Sequence, residues 1–94
     1  MNSTLHLISH RLDEATLGSL WRSRSPDDTL LLSGDAVYLA LRPEFLARAG
    51  SCAALACDVE ARGLSSLWPA CVALTDHAGM VDRCVRHRRT LSWA

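Results

Sequence analysis

The chain has 94 residues and is 49% hydrophobic but only 5% aromatic, which fits one small core of Leu, Ala and Val and excludes two independent cores. Ten cations, every one an arginine, balance ten carboxylates, so there is no electrostatic excess to hold a phosphate backbone, and direct nucleic-acid binding is disfavoured. No basic segment leads into an apolar stretch and cleavage site, and no apolar run reaches transmembrane length; a cytoplasmic protein with four reduced cysteines is expected.

Thr4 to Ser9 is rich in Leu and Ile with loose alternation, which suits a strand buried on both faces. From Asp13 to Arg24, Ala15, Leu17, Leu20 and Trp21 recur near helical spacing, and Pro26 with Asp27-Asp28 stops the helix. Thr29 to Leu32 is a continuous apolar run entering Ser33-Gly34-Asp35, the pattern of a central strand leading to a turn and a helix capped by Asp35. Ala36 to Leu41 reads as a short helix, and Pro43 opens another through Arg48 that Gly50 ends.

Cys52 to Ala56 is the third expected strand, Asp58 caps the turn after it, and Gly63 closes that turn. Leu64 to Pro69 is a loop carrying Trp68. Cys71 to Thr75 reads as a fourth strand, followed by a helix from about Asp76 to His87 with Met80, Cys84 and Val81 inward. Thr90 to Trp93 forms a terminal edge strand. Alternating strands and helices imply an α/β fold: one three-layer domain over residues 1–94, with a mainly parallel sheet of about five strands and helices on both faces.

Several constellations bear on chemistry. Cys84 and His87 lie three apart on a helix, and His6 and His10 four apart, but neither pair supplies the four close ligands of a structural zinc site, so no metal is expected. There is no glycine-rich phosphate loop, no nucleophile elbow and no zinc-protease motif, and no cofactor is implied. Asp35, Asp58 and Asp76 each follow a strand and would gather at the carboxyl end of a parallel sheet, where ligands bind, or serve as helix caps. Arg83, Arg86, His87, Arg88 and Arg89 form a basic cluster that reads as a solvated helix end. Trp68 in its loop and Trp93 at the chain end are candidate interface anchors, while Trp21 fits either core or interface.

Four blocks in order, LHLISH at 5–10, DTLLLSGDAVYLAL at 28–41, ALACDVEARGL at 54–64 and VALTDHAGMVDRCVRHRRTLSWA at 72–94, make the chain resemble the TusB/DsrH family, the smallest subunit of a cytoplasmic sulfur-relay complex. The resemblance implies a structural subunit that assembles with TusC-like and TusD-like homologues as a dimer of heterotrimers. Such a complex takes persulfide sulfur from a TusA-like donor and passes it to a TusE-like acceptor. The destination is either 2-thiolation of the tRNA wobble uridine or, in the DsrH branch, dissimilatory sulfur oxidation.

A sulfur carrier needs a thiolate open to attack by another protein's cysteine. Cys57 is the candidate here, because it follows the third strand, where N–H groups of a helix start favour the anion while Asp58 opposes it. The resemblance also places the reactive cysteine of the TusD-like sister nearer Leu55 than Cys57, and the first-helix cysteine of some DsrH members has no counterpart around Leu20. Cys52 and Cys71, inside expected strands, read as buried packing groups, and Cys84 as packed. A free-standing module binding a small ligand at the carboxyl edge of the sheet is the rival from another class.

Overall fold

The computed structural model describes residues 3–93. Five strands, β1 (Thr4–Ile8), β2 (Thr29–Leu32), β3 (Ser51–Leu55), β4 (Ala73–Thr75) and β5 (Arg89–Trp93), form one all-parallel sheet in the order β4-β3-β2-β1-β5. The helical elements are α1 (Glu14–Ser23), a long 3₁₀ helix (Gly34–Leu41), α2 (Pro43–Ala49), α3 (Ala56–Ala61), a single 3₁₀ turn (Ser65–Leu67) and α4 (His77–Arg86). None of these helices is long and apolar enough to cross a membrane.

The strand order dictates where the helices lie. Strands β1 to β4 step outward in one direction, so right-handed crossovers put α1, the 3₁₀ helix, α2 and α3 on the same face; the return from β4 to β5 runs the other way and carries α4 across the opposite face. The packing follows this division. Ile8, Leu30, Leu32 and Ala54 of the sheet pack with Leu20 of α1, Val37 of the 3₁₀ helix, Phe45 of α2 and Val59 of α3. On the other face Leu5, Leu31 and Leu55 meet Met80 and Cys84 of α4.

Local chemistry explains the element ends. Asp13 caps α1 by accepting from the Thr16 N–H at 2.8 Å, and Asp76 caps α4 through the Gly79 N–H at 2.8 Å. Pro43 starts α2, and Gly50, at φ 63°, ends it. Gly79 has a second role: a Cβ there would collide with Thr75 Oγ1, so a larger residue would force that side chain to move.

Four expectations need correction. Cys71 is exposed and precedes β4, which begins only at Ala73, because the Val72 N–H closes a turn onto the Pro69 carbonyl instead of entering the sheet. Ala56 belongs to α3, which puts Asp58 in its first turn; the carboxylate accepts from the Gly34 N–H at 2.8 Å and caps no turn of its own segment. Asp35 likewise lies inside the 3₁₀ helix, past the Ser33 cap position, and bonds Arg62. Val81 is 58% exposed, since the inward stripe of α4 runs through Met80 and Cys84. The loop at Leu64 to Pro69 contains the short 3₁₀ turn, and Ala94 of the closing block lies outside the described residues.

Candidate functional site

Cys57 occupies the second position of α3, at the carboxyl end of β3, and is exposed. The main chain around it is fixed by its neighbours. Gly34, at φ 53°, turns β2 into the 3₁₀ helix where a Cβ would press to 3.0 Å from the Ser9 carbonyl oxygen, and its N–H is held by Asp58. Arg62 then bridges the two acids that follow β2 and β3: its guanidinium lies 3.0 Å from Asp35 and 3.7 Å from Asp58, and Nη1 also donates to the Asp58 carbonyl at 3.1 Å.

This arrangement satisfies Arg62 on the side chains after Cys57 and not on its sulfur. Among the described residues no hydrogen bond involves the Cys57 thiol. Of the three acids expected at the carboxyl end, the structure brings Asp35 and Asp58 together through Arg62 and uses Asp76 as a helix cap. Among the described residues no group of three or more His, Cys, Asp or Glu side chains is placed to hold a metal ion.

The other thiols divide by burial. Cys52 is 7% exposed in the core, where burial first and the neighbouring Cys71 second push its thiol up to about 12. Cys84 is half-buried against the sheet, three residues from His87, whose ring nitrogens are engaged with the Arg83 carbonyl at 2.8 Å and Thr29 Oγ1 at 3.1 Å. His6 and His10 separate as well, since His6 is buried and His10 exposed.

The aromatic candidates are tied to their own chain. Trp21 packs on Phe45 at a ring distance of 5.3 Å. Trp68 is half-buried against the main core and donates its indole N–H to the Val72 carbonyl at 3.0 Å. Trp93 is also half-buried and donates to His6 Nδ1 at 2.9 Å.

That last bond ends a buried network the sequence reading missed. Because an indole only donates, His6 Nδ1 must accept, and the ring proton sits on Nε2, 2.9 Å from Asp28 Oδ2. Asp28 also takes the Thr4 and Ser25 N–H groups at 2.9 and 3.0 Å. Burial opposes its ionisation, but the Ser25 N–H, the His6 ring N–H and the Thr4 N–H outweigh that and hold its carboxyl below the usual range. The available signal was a histidine in the middle of an apolar strand and an aspartate one residue before the next, since the register Leu5↔Thr29 sets Asp28 beside Thr4.

Comparison with known proteins agrees with this architecture. The family model described as "DsrH like protein" matches residues 12–90. Among solved structures, the crystal structure of the YchN protein from E. coli superposes with a TM-score of 0.77 at 16% identity, covering 99% of this chain and 100% of that one, a likeness of fold. A search of curated proteins finds no match.

Proposed function

The chain belongs to the DsrH-like family, the TusB/DsrH group of sulfur-relay subunits, and on that premise we propose that it is a non-catalytic structural subunit of a cytoplasmic TusBCD/DsrEFH-like sulfurtransferase complex. The observation that carries this reading is the family match over residues 12–90. In it the whole chain, residues 1–94, acts as one domain that holds a TusD-like catalytic partner and a TusC-like partner in a competent hexamer. Persulfide sulfur enters from a TusA-like donor and leaves to a TusE-like acceptor, with 2-thiolation of the tRNA wobble uridine as the destination. Trp68 and Trp93 are proposed as interface residues through the parts of their rings that the chain leaves uncovered.

The surroundings of Cys57 support a non-catalytic role. A relay thiol needs a cation or dipole to hold its anion; Cys57 has the first turn of the six-residue α3, which the adjacent Asp58 opposes, and Arg62 is engaged by Asp35 and Asp58. A second reading rests on the exposure of Cys57 at the carboxyl end of the sheet: the thiol is open to another protein's cysteine and would then carry the persulfide itself. The DsrH branch, with sulfur oxidation as the destination, differs in acceptor and not in this chain's geometry.

The deciding experiment is co-expression with TusC-like and TusD-like chains, followed by mass determination of each subunit after exposure to a persulfide donor. A stable complex with sulfur on the TusD-like chain alone, unchanged by Cys57→Ala, is expected. A sulfur adduct of this chain that disappears in Cys57→Ala would replace the structural reading with the carrier one, and a monomer that ignores both partners would sink both.

A further inference from the structure

The basic cluster left unexplained by the family reading lies at the amino end of the sheet, opposite Cys57. Two structural details turn part of it into a notch. Strand β4 pairs only with Ala53–Leu55, so Ser51 and Cys52 extend beyond their neighbour strand. Arg83, Arg86 and His87 from the end of α4 then line, with Thr29 and Ser51, a cavity of about 300 Å³ at this step. That volume is at the lower end of small-molecule sites, which span roughly 300–1,000 Å³.

We propose that this notch binds a tetrahedral oxyanion of the phosphate class, free or as a small phosphate monoester. The donors come from α4 and from the starts of β2 and β3. Arg83 forms no ion pair among the described residues; its Nη1 is steadied by Thr75 Oγ1 at 3.2 Å and the Gly79 carbonyl at 3.4 Å, which fixes the guanidinium while Nε and Nη2 stay unpartnered. Arg86 is met by Asp82 at 3.0 Å, but both side chains are more than 60% exposed, so that pair is screened and exchangeable.

The hydroxyl side is equally suited to an anion. A carbonyl only accepts, so His87 Nδ1 carries a proton toward Arg83 O, and His87 Nε2 contacts Thr29 Oγ1 at 3.1 Å. Thr29 Oγ1 in turn lies 3.3 Å from Ser51 Oγ. Where Nε2 accepts from the Thr29 O–H, the Ser51 O–H donates to Thr29 Oγ1; Ser51 is exposed, so an incoming anion can take that proton in exchange for the 3.3 Å contact.

Charge selects this place over two others. No carboxylate lines the notch, whereas the larger cavity beside Arg88 and Arg89 includes Asp28, whose carboxyl is held below the usual range and would repel an anion. The carboxyl end of the sheet presents Asp35 and Asp58. With a net charge of zero, the chain suits a single small anion better than a polyanion.

The test is an amide NMR titration of the ¹⁵N-labelled full chain with inorganic phosphate and with ribose 5-phosphate, each at constant ionic strength. Saturable shifts centred on Ser51, Cys52 and the Arg83–His87 turn are expected. Arg86→Gln, at an exposed position that cannot unfold the chain, weakens binding roughly tenfold, as does Arg83→Gln, consistent with loss of a charge-assisted hydrogen bond. Tighter binding of the ester identifies a phosphorylated metabolite, and equal binding a free oxyanion. Shifts that never saturate, that centre on Arg88 and Arg89, or that survive unchanged in Arg86→Gln would overturn the proposal.

Discussion

The two faces of the sheet are built to different standards. On one, three α-helices and a long 3₁₀ helix enclose a core cluster that runs from Ile8 to Val72. On the other, α4 alone crosses the sheet; the buried cluster beneath it is Leu5, Leu31 and Leu55, and none of the residues of α4 itself is buried. Val81 and Val85 point outward at 58% and 79% exposure. The difference is topological in origin: four strands laid down in one direction collect their crossovers on one face, and a single return connection has to cover the other. The well-covered face therefore holds the fold together, while the thin one holds little in reserve.

The sharpest way to break this contrast is a matched pair of truncations. Leu30 and Leu31 are adjacent in β2, both fully buried, and point to opposite faces. Leu30→Ala leaves a cavity walled by several elements and is expected to cost about 3–5 kcal/mol, whereas Leu31→Ala lies under a lone helix free to settle and is expected to cost about 2–3 kcal/mol. Urea unfolding of both variants measures it. Equal losses would mean that α4 packs as tightly as the four-element layer.

Next in size is the network that ties the last strand to the first. Trp93→Phe keeps the ring but removes the donor to His6 Nδ1, leaving a buried acceptor unmatched at a cost of about 1–3 kcal/mol. The same network sets an acid limit. Because the Asp28 carboxyl is held below its unfolded value, its contribution is fully present above the ordinary carboxylate range and is lost as pH falls through the folded value. Asp28→Asn should lower stability at neutral pH and flatten the decline on acidification; a variant whose acid profile tracks the parent would remove Asp28 from that role.

The same contrast governs what was legible in the sequence. Strands β1, β2 and β5 and helices α1 and α4 were readable because apolar periodicity and side-chain caps such as Asp13 and Asp76 are local signals. Asp35 and Asp58 were misassigned to caps because their partners, Arg62 and the Gly34 N–H, are 24 or more residues away and only the fold brings them within reach. Cys71 and Val81 failed for another reason. Both lie where cover is thin, just before an edge strand of three residues and on the lone helix, so an apolar residue there is no guide to burial. Cys57 was correctly set after β3, but proximity in sequence could not show that Arg62 turns away to two carboxylates.

The smallest effects on stability come from the thiols, and their reactivity reads out the cover of each face. Cys52 belongs to the well-enclosed core, and its thiol, pushed up to about 12, stays protonated at pH 8. Cys84 lies half-buried under α4, while Cys57 and Cys71 are open to solvent. Alkylation followed by peptide mass mapping should therefore modify Cys57 and Cys71 first, Cys84 after them, and Cys52 only when the chain unfolds globally. Cys57→Ser should change stability by no more than about 0.5 kcal/mol, as for other exposed positions without partners. The informative comparison is Cys84 against Cys52 as urea is raised through the region below the unfolding midpoint. If α4 lifts from the sheet on its own, Cys84 labels at urea concentrations where Cys52 is still protected. Parallel loss of protection at the two sites would mean that the lone helix and the four-element layer unfold as one unit, and the asymmetry of the faces would then be one of burial without any difference in local stability.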